Sequence, residues 1–381
     1  MKFNSTLPDQ HLRAEISPAR LAHNLKILRG IIGPKVKLCI VAKANCYGHS
    51  LPHCLPVFLR HADCIATGTA GEALEVRRLA PKVPLHALLP LTLSGNPAWT
   101  RALLEHDIAV TLSSSADLAL LSRTIARSRI PAMIHVEVDT GMSRSGVRYE
   151  QAPAFVAACR RIKGLRVAGV FTHLATADDN KEFARQQLAR FEQTLCAIGG
   201  RDEIIAHAAA SAATLDLPNS HYDMVRIGIA AFGYHPSPQI RNRAPLQGVM
   251  RLVTRLIQIK EVSAGAGVGY GLTYQLRRAG RLGLIPIGYA DGYDRRFSNQ
   301  AQVKIRGQWV PVRGRVSMDL TSIDLSSLPE AKIGDEVEVI SCNRSDPGSV
   351  ENLARLIGVI PYEITTRLGR RVCYHPARHS T

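Results

Sequence analysis

The chain has 381 residues, 46% hydrophobic and 21% charged, which fits a packed globular protein of two domains or one large one and excludes a disordered chain. The net charge of +17 raises nucleic acid as a partner, but the basic residues are scattered over predicted helix faces (RLAHNLKILRG, VRRLAPK, TIARSR, ARHST) and aromatics are only 5%, so the excess reads as a solvated surface that attracts phosphates and carboxylates. No window approaches a membrane-spanning apolar run, MKFNSTLPDQHLRAEIS has no apolar signal region, and the eight irregularly spaced cysteines read as reduced thiols, so no membrane span, disulfide frame or zinc site is expected and the cytoplasm is the expected compartment.

In chain order, HLRAEIS (11–17) reads as an isolated strand. Eight short apolar runs follow: KLCIVAK (37–43), CIATG (64–68), LHALL (85–89), IAVTL (108–112), AMIHVEV (132–138), RVAGVFTH (166–173), EIIAHA (203–208) and MVRIGIA (224–230). Between them lie stretches with apolar residues at three-to-four spacing, such as LPHCLPVFLRHA, AGEALEVRRLA, SADLALLSRTIARS and FARQQLARFEQTLCAI. This alternation predicts an α/β fold, a (β/α)8 TIM barrel over 14–245. A doubly wound sheet loses its usual support because no G-x-G-x-x-G follows the first strand. Beyond residue 245, MRLVTRLIQIKEV, RLGLIPI, QVKIRGQWVPVRG and DEVEVISC alternate apolar and polar residues between turns, and ENLARLIG (351–358) is helical. They predict a mostly antiparallel β-domain over 246–381, joined by residues 1–13, with the HLRAEIS strand pairing into it.

A (β/α)8 barrel carries its chemistry at the C-terminal ends of the strands. Those ends place Lys43 and Tyr47 after the first strand, Glu137, Asp139 and Arg144 after the fifth, His173 after the sixth, Ser211 after the seventh, and Arg226, Gly228 and Ile229 on the eighth. Lysine is almost never buried without a partner, so Lys43 at the end of KLCIVAK is either a salt-bridged barrel-mouth residue or a working amine. Ser211, Gly228 and Ile229 lie in the loops where barrels bind phosphate. An amine, a phosphate cup and arginines between them suit pyridoxal 5'-phosphate (PLP). Cys46 beside the lysine reads as a passive thiol.

VAKANCYGHS (41–50) resembles the cofactor-lysine signature of alanine racemases, and the likeness extends through VDTGMSRSGV, FTHLATADD, HAAASAATL, MVRIGIAAFGY, GVGYGLTY, IPIGYADGY, GRVSMDL and IPYEI in that order. The resemblance implies racemisation of a small amino acid, alanine first, in a head-to-tail homodimer whose β-domain completes the partner's active site. It implies that Lys43 bonds to the cofactor and acts as one base. Tyr270 of the partner subunit is the opposing base, its pKa lowered by a hydrogen bond from His173. Tyr47, Ser211, Gly228, Ile229 and Tyr362 hold the phosphate, and Arg226 faces the ring nitrogen. Arg144, Tyr289 and Met318 bind substrate. No metal is implied.

Three positions depart from that pattern. Glu137 stands where many members carry a carbamylated lysine, and the expectation is that its carboxylate supplies the same charge and orients Arg144. Ser143 and Ser145 replace a glycine and an apolar residue, closer to broad-specificity amino acid racemases. Ala210 replaces an asparagine. Serine or a wider range of amino acids therefore stays open as substrate, although Tyr362 argues for a small one. A decarboxylase or aldolase of the same cofactor group lacks the GYG and GYADG pair. A silent cofactor-binding or nucleic-acid-binding relative has no use for both Lys43 and Tyr270.

Overall fold

The computed structural model describes residues 11–93, 96–199 and 203–377. Residues 1–10 and 378–381, assigned above to the β-domain, lie outside the described residues.

Strand β1 (Arg13–Ile16) comes first. Eight parallel strands then form a nearly closed barrel: β2 (Lys37–Val41), β3 (Cys64–Thr67), β4 (Leu85–Pro90), β5 (Ala109–Leu112), β6 (Ala132–Asp139), β8 (Leu165–Phe171), β9 (Ile205–His207) and β10 (Met224–Ile227). The two-residue β7 (Val147–Arg148) pairs only with β6. The ring closes through β10 on β2 in parallel register, while β9 meets β10 through a bridge between Ala210 and Arg226. Each strand matches one of the apolar runs, because parallel strands covered on both faces need apolar side chains on both.

Several of the intervening helices start at a side-chain cap. Ser17 accepts from Arg20 N before helix 18–32, and Ser114 accepts from Asp117 N before helix 115–128. Thr69 and Glu72 form a reciprocal capping box at the start of helix 70–79.

The remaining strands are β11 (Met250–Arg255), β12 (Gln258–Val262), β13 (Gly280–Ile285), β14 (Gln302–Ile305), β15 (Gln308–Pro311), β16 (Thr321–Asp324), β17 (Glu336–Ile340) and β18 (Cys373–Pro376). They build a six-stranded sheet ordered β15-β14-β17-β11-β1-β18 and a three-stranded sheet ordered β12-β13-β16. Pairing is antiparallel except for β1 against β18. So β1 joins the C-terminal sheet as expected, and all four of its residues, three of them beyond the boundary drawn at residue 14, sit there. Arg251 ties this sheet together by pairing with Glu15 at 3.1 Å, Glu336 at 2.6 Å and Glu338 at 2.5 Å.

Candidate active site

β2 buries Leu38 to Val41 and delivers Lys43 to the barrel mouth. The backbone then takes an unusual course. Ala44, Asn45, Cys46 and Tyr47 have φ of 50°, 51°, 58° and 53°, a left-handed turn of four successive non-glycine residues. That conformation costs roughly 1–2 kcal/mol per residue. Hydrogen bonds hold it: Ala44 N donates to Glu72 Oε1 at 2.7 Å, Leu51 N to Asn45 Oδ1 at 2.8 Å, and Ser50 N to Asn45 O at 3.0 Å. His49 donates from Nδ1 to the Tyr47 carbonyl at 2.9 Å and stacks on Phe232 at 4.3 Å. Burial lowers its pKa to about 4, so the ring is neutral. Cys46 is buried against Cys54, and burial first and that contact second push its thiol pKa up, as suits a passive thiol.

Lys43, Tyr47, Glu137, Arg144, His173, Ser211, Arg226, Gly228 and Tyr362 line one cavity of about 240 Å³ at the C-terminal ends of the strands. Ile229 is buried beside them and begins the turn 229–232. The lining holds three cationic side chains against one carboxylate, a surplus that suits an anionic ligand. Burial, then the charges of Arg144 and Arg226, lower the Lys43 pKa, while Glu72 opposes them.

The floor of the cup is cut to fit. Ser211 Oγ accepts from Gly228 N at 3.0 Å and Ala230 N at 3.3 Å. A Cβ on Gly228 would lie 2.4 Å from Tyr47 Oη, so only glycine lets that hydroxyl reach the cup. The Tyr47 ring stands between Phe232 at 5.6 Å and Tyr362 at 5.8 Å. Ala210, lacking the amide of an asparagine, starts helix 211–216 with no side-chain cap.

Arg226 is fully buried and, among the described residues, has no carboxylate partner. Its guanidinium donates to the Thr172 carbonyl at 2.8 Å, to His207 Nδ1 at 2.7 Å and to His173 Nδ1 at 3.2 Å. Arginine only donates, so both histidines must present lone pairs at Nδ1 and carry their protons on Nε2. His207 then donates to His135 Nδ1 at 2.8 Å, and His135 stacks on His86 at 4.2 Å. Burial, with Arg226 second, lowers the pKa of His173 and His135 to about 3. The barrel axis therefore holds neutral histidines around one cation. A Cβ on Gly169 would come 2.2 Å from His135 Nδ1. Gly169→Ala is expected to break the His135–His207 bond and cost roughly 1–3 kcal/mol in urea melts; an unchanged midpoint would refute this.

The expected Glu137–Arg144 pair is not formed. Glu137 Oε1 accepts from Ser145 Oγ at 2.9 Å, and Oε2 is buried with no partner. The loop explains this. Asp139 Oδ1 gathers the backbone N–H groups of Gly141, Met142 and Ser143, and Gly146 (φ 110°) folds the chain back until a Cβ there would lie 2.7 Å from Asp139 N. Ser145 turns inward while Arg144 stays exposed. Burial raises the Glu137 pKa against the smaller pulls of Ser145 and Arg144. The folded state then holds its proton to higher pH than the unfolded chain, so stability falls as pH rises through that window. Glu137→Gln is expected to be more stable than the parent by on the order of 1 kcal/mol at about pH 8 and equal at about pH 4. An equal difference at both pH values in urea melts would exclude this account.

Tyr270, Tyr289 and Met318 do not line the cavity. They are exposed by 71%, 43% and 53%. Backbone bonds from Tyr289 N to Ser317 O and from Ala290 N to Met318 O, both 3.0 Å, join two of them. A larger void of about 1320 Å³ opens at the opposite, N-terminal end of the barrel. It touches His86 and His135 but none of the expected site residues. Sequence reasoning missed Glu72, whose signal is the T-x-x-E capping box of Thr69 and Glu72. It also missed the roles of His135 and His207, which lie inside apolar runs.

The sequence matches the family model described as the alanine racemase N-terminal domain over residues 16–236, and the alanine racemase C-terminal domain over 249–375. The alanine racemase of Halothermothrix orenii is 34% identical over 94% of this chain and 95% of that protein. The alanine racemase of Desulfovibrio desulfuricans is 35% identical over 96% and 97%. Among solved structures, the alanine racemase from Streptomyces coelicolor A3(2) superposes with a TM-score of 0.89 at 32% identity, over 96% of this chain and 98% of that one. The biosynthetic alanine racemase from Pseudomonas aeruginosa gives 0.85 at 30% identity over 97% and 100%.

Proposed function

The chain belongs to the alanine racemase family, and from that premise we propose that it interconverts L- and D-alanine with PLP, as a homodimer whose subunits share each active site. The observation that carries this reading is Arg226, a buried guanidinium with no carboxylate partner among the described residues, in the same cavity as Lys43 with its lowered pKa. The cradle supports the cofactor: the glycine at 228 admits Tyr47, and the lining is cationic. Tyr47, Ser211, Gly228, Ile229 and Tyr362 would hold its phosphate, and Arg226 would face its ring nitrogen.

When bound, the cofactor supplies an electron sink for the charge left at the substrate Cα. The protein's share is proton traffic and orientation. A lowered pKa leaves more of the Lys43 amine free to take a proton at neutral pH. Arg226, with a pKa lowered by burial to about 10, still keeps its proton there, so it donates hydrogen bonds and no acid. That restrains the sink and limits side reactions. Neutral His173, fixed by Arg226 with its proton on Nε2, is a donor for Tyr270 of the partner subunit. Arg144 is free of Glu137 and available to a substrate carboxylate. Tyr270, Tyr289 and Met318 are all exposed, and we assign all three to the partner's site.

We assign cofactor binding to the barrel and completion of the partner's site to the C-terminal domain of residues 246–381, which β1 (Arg13–Ile16) joins. The cytoplasm belongs to the same proposal; the eight cysteines are all free, which suits a reducing compartment. Among the described residues no helix is long and apolar enough to cross a membrane.

Chiral analysis of products tests the reaction. The purified protein with PLP is incubated with single L-amino acids. D-alanine as the dominant product is expected. Comparable D-serine or D-lysine would make it a broad-specificity racemase, a reading favoured by Ser143 and Ser145. Bound cofactor with no D-product would overturn it.

A further inference from the structure

We infer that Glu72 is a positioning residue that aims Lys43 by holding the peptide immediately after it, an inference that rests on the reading of Lys43 as the cofactor lysine. The carboxylate of Glu72 joins two segments. Its Oε2 accepts from Gly68 N and Thr69 N, both at 2.9 Å, at the end of β3. Its Oε1 accepts from Ala44 N at 2.7 Å. The capping box accounts for the bond to Thr69 but not for the bond to Ala44. Among the described residues no cation pairs with Glu72, so both oxygens serve the backbone.

Ala44 N belongs to the peptide that follows Lys43. It opens the four-residue left-handed turn, where non-glycine backbone is under strain. Rotation of that peptide toward ordinary geometry would swing the lysine off its axis. A charged acceptor on a packed helix opposes the rotation, because leaving a backbone donor unmatched beside it is costly. The three segments fit closely: a Cβ on Gly68 would lie 3.0 Å from Glu72 Oε2 and 3.5 Å from Lys43 Cβ. Glu72 thus fixes where the amine starts, and its charge opposes the arginines that favour the neutral amine.

The test compares cofactor-loaded Glu72→Gln, Glu72→Asp, Thr69→Val and Glu75→Gln with the parent. Glutamine keeps one acceptor oxygen and presents an N–H₂ where the second is needed. Glu72→Gln is expected to lower kcat by on the order of 10- to 100-fold with little change in KM, and to release cofactor faster on dialysis. Glu72→Asp keeps the charge on a shorter stem and should recover part of both. Thr69→Val loses only the cap hydroxyl, and Glu75→Gln removes an exposed charge from the same helix; both should match the parent in kcat. Parent-like kcat and cofactor retention in Glu72→Gln would overturn the inference. So would an equal loss in Thr69→Val, since the cause would then be helix stability. Borohydride reduction with peptide mapping separates the underlying reading: cofactor trapped on a residue other than Lys43 in the parent defeats that reading itself.

Discussion

Lys43→Ala is expected to lower racemisation by roughly 10⁴-fold, read as D-alanine formed from L-alanine with PLP in excess. The expected size follows from the two functions proposed for Lys43, attachment of the cofactor and one of the two bases, being lost together. Among the described residues no other amine lines the cavity, and the guanidinium of Arg226 keeps its proton at neutral pH, so no neighbour takes over. Folding should be little affected, because Lys43 ends beyond the buried part of β2 and stands open at the barrel mouth. A residual rate within tenfold of the parent, in a variant that still binds the cofactor, would remove Lys43 from the mechanism.

Tyr270→Phe removes one hydroxyl from a side chain that is 71% exposed, so its melting midpoint should match the parent's. Interconversion is expected to fall by roughly 10²–10⁴-fold in both directions. In deuterated water the variant should still exchange the α-hydrogen of one enantiomer, through Lys43, and not that of the other. Exchange lost equally for both enantiomers would contradict a two-base mechanism. The same variant tests the shared site. In a mixed dimer of Lys43→Ala and Tyr270→Phe chains, one site lacks both bases and the other has both. Mixing the two inactive proteins under subunit exchange should restore about a quarter of the parent activity. If mixing restores nothing although the subunits have exchanged, Tyr270 does not act across the interface.

The barrel was legible because each parallel strand, covered on both faces, leaves an apolar run such as KLCIV or MIHVEV between helices with three-to-four spacing. The barrel residues that line the cavity were legible because the fold collects strand ends at one mouth, whereas Tyr270, Tyr289, Met318 and Tyr362 came only from the resemblance. What the sequence hid depends on register and loop geometry. His135 and His207 meet because of how β6, β8 and β9 are aligned and because Gly169 leaves room, and neither fact shows in an apolar run. Glu137 was expected to face Arg144; the glycine at 146 and the turn gathered by Asp139 present Ser145 instead. Glu72 reads as a helix cap, and only the left-handed turn after Lys43 reveals its other contact.

The position of β1 bears on how the molecule is made. It leaves the ribosome before any barrel strand, yet it hydrogen-bonds to β11 and β18, which emerge after the whole barrel. From β2 to β9 the barrel strands pair with strands close in sequence, so they are able to meet early in synthesis, whereas both partner strands of β1 emerge only after the barrel. Its docking between β11, the first strand made after the barrel, and β18, far later in the chain, ties it into the C-terminal domain. The six-stranded sheet is thus completed by the strand made first, and only after β18 has emerged.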